Sequence, residues 1–301
     1  MLLSRRRWVL GLGGSALLAG CGALRPTPEA PPVANPAVPA PRRKPRIGLA
    51  LGGGAARGFA HVGVIKTLET QGIQPDLVVG TSAGAVVGAL YASGLNAFEL
   101  QKLAIQMDES RLTDWTLLER GWLKGEALER FINQQVNQKP LEGLARRFGC
   151  VATDIRNGEL VLFQRGNTGQ AVRASAAVPG VFSPVTLNGR DYVDGGLVAP
   201  VPAREARAMG ADVVIAVDIS ARPSGRKGVS GIDLLLDTIA TMGATIARDQ
   251  LKEADVVIRP AIQGFAAASF EQRHEAILEG ERAAQAALPR IQERLAQWEG
   301  R

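Results

Sequence analysis

Val78-Val79-Gly80-Thr81-Ser82-Ala83-Gly84 is an apolar run that ends in Gly-x-Ser-x-Gly and passes into a stretch rich in small residues, Ala85 to Ala92. The reading is a strand, a sharp turn and a helix, which is the context a nucleophile elbow needs. Glycines two before and two after the serine permit a tight turn and close packing, leaving Ser82 Oγ exposed at the start of the helix. The helix N-terminus there also favours developing negative charge. In isolation the motif fits equally well a strand-to-helix turn with an incidental serine.

On the N-terminal side, Leu51-Gly52-Gly53-Gly54-Ala55-Ala56-Arg57-Gly58 again follows an apolar run and precedes a helical pattern. A dinucleotide fingerprint needs glycines at its first, third and sixth places. Starting at Gly52 the sixth is Arg57, and starting at Gly53 the third is Ala55. A phosphate-cradling loop needs a terminal Gly-Lys-Ser or Gly-Lys-Thr, which is absent. Nucleotide binding fails both patterns. What remains is an anion-binding turn whose backbone N–H groups receive the oxyanion of an acyl-transfer intermediate, with Gly53, Gly54 and Ala55 as the expected donors. Arg57 either holds the loop, meets a headgroup phosphate or forms a surface ion pair. Towards the C-terminus, Tyr192-Val193-Asp194-Gly195-Gly196 is a strand end followed by an aspartate and two glycines, by itself a common turn.

Around these motifs, short apolar runs alternate with longer helical patterns. The runs are Ile47 to Leu51, Leu77 to Val79, Val151 to Thr153, Val213 to Ile219 and Val256 to Ile258. The helical patterns are Phe59 to Thr70, Ala83 to Ala92, Gly125 to Gln135 and Ile232 to Asp249. Runs with little polar alternation suit strands buried on both faces, so the expected fold is α/β: a mostly parallel central sheet in an α/β/α sandwich. Leu288, Ile291, Leu295 and Trp298 share one helical face and should pack as a terminal helix. Arg222 to Gly228 reads as an irregular loop. Trp115, Leu117, Leu118, Trp122 and Leu123 either cap the site, lining an acyl channel, or pack as core. Asp154, at a strand end, reads either as a loop organiser or as a residue bordering the site.

The formal charge of +6 is unevenly spread. Residues 1–46 carry eight Lys or Arg against Glu29 alone, and the remainder is slightly acidic, so the high pI gives no nucleic-acid surface on the folded body. With two cysteines, two histidines and no Cys-x-x-Cys pair, neither a disulfide framework nor a metal site is expected, and no cofactor is implied.

Residues 1–20 have the layout of a secretory signal peptide: Arg5 to Arg7, an apolar run from Trp8 to Ala19 too short to span a bilayer, then small residues. Leu18-Ala19-Gly20-Cys21 resembles the lipobox of bacterial lipoproteins, which implies a lipidated Cys21 holding the protein to a membrane. Gly22 then points to the outer membrane, facing the periplasm. Ser4 to Leu10 also resembles a twin-arginine signal, although three arginines suit ordinary export equally. Residues 21–46 hold eight of the seventeen prolines and read as an extended tether. Its cluster Arg42-Arg43-Lys44-Pro45-Arg46 either touches anionic headgroups or is simply solvated. Residues 47–301 are the expected catalytic domain.

Taken in order, Gly53-Gly54-Ala55-Ala56-Arg57-Gly58, Gly80-Thr81-Ser82-Ala83-Gly84 and Asp194-Gly195-Gly196 resemble the patatin-like phospholipases. Arg173 to Gly180 and Gly210 to Asp218 are similar to the bacterial branch of that family. The resemblance implies a serine lipid acyl hydrolase acting on a lipid or other acyl ester, with Ser82 as nucleophile and Asp194 as base. Gly80, Gly84, Gly195, Gly196, Arg57 and Gly58 then support the motifs. Ala55 stands where many members carry glycine, which leaves its N–H able to donate provided φ stays negative. An ordinary carboxylate is a weak base for an alcohol, so Asp194 should lie in a partly desolvated site with few competing hydrogen bonds. Two alternatives stay open: a Ser-His-Asp esterase using His274, and a non-catalytic lipoprotein scaffold with the same fold. His61 reads as a packed or capping histidine.

Overall fold

The computed structural model describes residues 43–107, 124–220, 230–262, 265 and 271–298. The signal peptide, Cys21, most of the tether, the Trp115 to Leu123 segment and the Arg222 to Gly228 loop lie outside the described residues.

The body is an eight-stranded sheet between two helical layers. Five strands run parallel in the order β3 (Arg147–Asp154), β2 (Leu77–Thr81), β1 (Ile47–Leu51), β7 (Val213–Val217), β8 (Val256–Ile258). In β1, β2 and β7 every residue is buried, which explains apolar runs without polar alternation. Side chains alternate between faces as a pleat demands. Leu49, Leu51, Val78, Ile215 and Val217 pack against α1 (Phe59–Thr70), α2 (Ala83–Ala92), α3 (Ala97–Gln106) and α8 (Arg273–Ala296), in a core that α4 (Glu126–Gln135) and α5 (Thr168–Ser175) also join. Ala50, Val79, Val214 and Ala216 face α6 (Ala203–Ala208) and the end of α7 (Gly231–Gln250). The α/β/α expectation is met, and the terminal helix α8 buries Leu288 and Ile291 against α1.

The antiparallel part of the sheet departs from a simple parallel reading. β3 has eight residues against three in the apolar run, and β4 (Leu160–Phe163), β5 (Val185–Leu187) and β6 (Arg190–Asp194) extend beyond it. β4 occupies one edge of β3 from Cys150 to Thr153. The opposite edge is shared end to end: β2 pairs up to Thr81 with Val151, and β6 begins with Asp194 opposite Ala152. Consecutive residues of β3 therefore bring the last residue of β2 beside the last residue of β6.

Candidate active site

β1 lies between β2 and β7, and the chain crosses over in opposite directions to reach them, so the crevice at the carboxyl ends of these strands is a switch point. Three segments meet there.

The first is the turn after β2. Ser82 has φ 54° and ψ −120°, a region L residues avoid, which the surrounding packing must enforce. Gly80 and Gly84 make that packing possible: a Cβ on Gly84 would lie 2.1 Å from the Leu51 carbonyl oxygen, and one on Gly80 2.4 Å from that of Gly84. The Ser82 amide donates to the buried Ser175 Oγ at 2.9 Å. Ser82 remains only 8 % exposed.

The second is the end of β6. Asp194 is buried, its Oδ1 accepts from the Gly196 amide at 2.6 Å, and its main-chain carbonyl accepts from Thr153 Oγ1 at 2.8 Å. Oδ2 is buried with no hydrogen-bond partner of full geometry among the described residues. Desolvation pushes the carboxyl up from 3.8 to about 6, an effect the Ser82 hydroxyl and the Gly196 amide partly offset. Among the described residues the Ser82 hydroxyl makes no full hydrogen bond to Asp194 Oδ2, yet it is near enough to favour the ionised carboxylate. The expected desolvated aspartate with few competing bonds is what the structure holds. Gly195 lets β6 end against β3, since a Cβ there would lie 2.3 Å from the Val151 carbonyl oxygen.

The third is the glycine-rich loop after β1, continuing as a short 3-10 turn, Ala55–Gly58. It crosses directly over the serine: a Cβ on Gly53 would stand 3.2 Å from Ser82 Cβ, and one on Gly58 2.8 Å from Ala83 Cβ. Two expectations need correction here. The Gly53 amide is not free to receive an oxyanion, because it donates to the Pro200 carbonyl at 2.9 Å. Ala55 does not keep the expected negative φ but adopts 52°, and its amide is unengaged among the described residues all the same. The Gly54 and Ala55 amides precede the first internal bond of that helix and donate to no acceptor among the described residues. Arg57 is not a surface ion pair: it is 6 % exposed, its Nε donates to the Gly54 carbonyl at 3.0 Å, and desolvation lowers its pKa. The motif holds its own loop.

Residues 199–200 clip the three segments together. Thr81 Oγ1 donates to the Ala199 carbonyl at 2.7 Å, and the Pro200 carbonyl takes the Gly53 amide. Thr81, Thr153 and Ser175 carry this scaffolding and escaped the sequence reading. Ser175 lay within a motif-like stretch, but nothing local marks a buried hydroxyl that receives an amide from 93 positions away. Cys150, beneath the site, donates to the Ala171 carbonyl and is pushed up to about 12 by burial, an inert thiol.

Neither histidine hydrogen-bonds to Ser82 or Asp194 among the described residues. His274 is exposed on the first turn of α8, whereas His61 is fully buried in α1 with Nε2 2.8 Å from the Gly52 carbonyl oxygen. His61 is therefore packed, as expected, and serves the loop rather than the aspartate. Asp154 accepts from the Arg156 amide and pairs with Arg190, which makes it a loop organiser. Among the described residues no group of three or more metal-ligating side chains occurs, and no helix is long and apolar enough to cross a membrane.

The sequence profile described as patatin-like phospholipase matches residues 49–207, more than half of the chain. An uncharacterized NTE family protein of Mycobacterium tuberculosis is 39% identical over 183 residues, covering 60% of this chain and 51% of that protein. The human patatin-like phospholipase domain-containing protein 6 is 36% identical over 184 residues, 58% of this chain and 13% of that one. The chain thus spans about half the length of the mycobacterial relative it matches. VipD from Legionella pneumophila shares the fold, with a TM-score of 0.58 at 16% identity, over 82% of this chain and 67% of that one.

Proposed function

Because the chain belongs to the patatin-like phospholipase family, we propose that it is a serine lipid acyl hydrolase working through a Ser82–Asp194 dyad, held to a bacterial membrane by a lipidated Cys21. The observation that carries this reading is the pairing of a strained serine with a desolvated carboxylate whose Oδ2 is unengaged.

In the proposed cycle, Asp194 Oδ2 takes the Ser82 proton as Oγ attacks the ester carbonyl carbon. The oxyanion that forms is received by the Gly54 and Ala55 amides, each such donor being worth about 3 kcal/mol in the transition state. Asp194 returns the proton to the departing alcohol, leaving Ser82 acylated. It next deprotonates a water that attacks the acyl carbonyl, and protonation of Oγ releases the fatty acid. Raising the carboxyl from 3.8 to about 6 makes it a stronger base. It makes proton abstraction from an alcohol easier by roughly 3 kcal/mol, at about 1.4 kcal/mol per pKa unit.

The anchoring reading rests on the Leu18-Ala19-Gly20-Cys21 stretch and the proline-rich residues that follow, with the outer membrane, periplasmic side, as the proposed location. Fluorophosphonate labelling of the full chain beside Ser82→Ala tests the chemistry: labelling should vanish in the variant, and labelling independent of Ser82 would favour a scaffold. Metabolic labelling with an alkyne fatty acid, compared with Cys21→Ser, tests the anchor.

A further inference from the structure

Gly52 and Gly53 are joined by a peptide group with glycine on both sides, the kind of peptide that can flip with little steric resistance. Here both of its ends are held. Its carbonyl oxygen lies 2.8 Å from His61 Nε2, and its N–H donates to the Pro200 carbonyl at 2.9 Å. The next two amides along the chain, Gly54 and Ala55, are those left without an acceptor among the described residues, directly after the Gly53 that lies against Ser82. Released at its carbonyl end, this peptide would leave both glycines free to rotate, and a rotation not compensated between Gly52 ψ and Gly53 φ would carry the Gly54 and Ala55 amides away with it.

His61 is suited to hold that peptide and to little else. It is 0 % exposed, and Nδ1 is buried with no hydrogen-bond partner among the described residues. The helix that carries it is itself fixed, because Gly63 of α1 and Gly280 of α8 let the two backbones touch. With the Gly52 carbonyl as acceptor, Nε2 must be the protonated nitrogen. Among the described residues no acceptor lies at Nδ1 to receive a second N–H.

We propose that His61 is a positioning residue of the hydrolase: its Nε2–H locks the Gly52–Gly53 peptide so that the Gly54 and Ala55 amides stay aimed at the acyl carbonyl. The proposal rests on the hydrolytic reading of Ser82 given above. It assigns the buried histidine to the oxyanion side of the site and takes it out of proton transfer altogether.

The test compares His61→Leu, which removes the donor, with His61→Gln, whose side-chain amide can place an N–H near the position of Nε2. Both are assayed on a p-nitrophenyl ester beside wild type and Ser82→Ala. For His61→Leu kcat should fall about 100-fold, comparable to losing one oxyanion donor, with KM within about threefold. His61→Gln should recover at least about tenfold of that loss. A folded His61→Leu with wild-type kcat, or a folded His61→Gln no better than the leucine variant, overturns the proposal. Should the leucine variant fail to fold, 15N ring shifts of wild-type His61 near neutral pH still decide: a neutral Nε2–H tautomer is expected, and an Nδ1–H tautomer or an imidazolium overturns the idea. Absence of Ser82-dependent turnover in wild type would instead remove the hydrolase reading, while the ring shifts would still report on the lock.

Discussion

Replacing Asp194 with asparagine should sharply lower activity and stabilise the fold, and both effects follow from one buried carboxylate. The folded carboxyl holds its proton more tightly than the unfolded one, with pKa about 6 against 3.8. Between those two values the folded state binds more protons, so wild-type stability falls as pH rises through that window and levels off above it. At about 1.4 kcal/mol per unit, ionising Asp194 in the folded protein costs up to roughly 3 kcal/mol. Asparagine keeps an oxygen to accept the Gly196 amide and never ionises. It should therefore gain about 2 kcal/mol near pH 8, read as a melting temperature higher by about 4–8 °C for a body of this size. Near pH 3 the gain should disappear. Over the same range wild-type kcat/KM should climb with pH, half-maximal near 6 and level above about 7, and the variant should lose about 1000-fold as its proposed general base goes. An asparagine variant no more stable than wild type near pH 8, or a wild-type rate level from about pH 4.5 to 8, would refute the argument that this group is desolvated and acts as base.

Ser82→Gly should raise stability by about 1 kcal/mol in urea denaturation, because glycine adopts φ 54° without strain, while eliminating acyl transfer. Gly84→Ala should cost about 3 kcal/mol or more, seen as a lowered midpoint, since its Cβ has backbone 2.1 Å away and nothing flexible to displace. His274→Ala should leave esterase activity within about twofold of wild type, because the side chain is exposed and bonded to neither dyad residue, whereas a Ser-His-Asp mechanism would lose orders of magnitude.

The parallel half of the sheet was legible because its strands are buried on both faces, so Ile47–Leu51 and Val213–Val217 stand out as unbroken apolar runs. Helices α1 and α2 were equally plain, each entered through a glycine-rich turn. The antiparallel strands were not. β4 is only half-buried and β5 has three residues, so neither leaves a period long enough to separate from loop. At the site, residue types that make a turn were readable, but where each amide points was not. Gly53 and Gly54 look alike in sequence, yet the Pro200 carbonyl engages one and not the other. The same holds for His61, whose role depends on a carbonyl nine positions earlier that only the helix's closure over the loop brings within 2.8 Å.

Ser82 and Asp194 owe their meeting to β3, which serves both strands as a ruler along one margin. The loops between them in the chain can lengthen, shorten or change their decoration without altering their separation, provided Val151 and Ala152 stay in step with their partners and Gly84 and Ser175 keep the serine turn in place. A slip of one residue in the β6 ladder would send the carboxylate to the far side of the sheet. Evolution of new substrate preference in this scaffold is therefore free in the excursions and frozen in two neighbouring rungs.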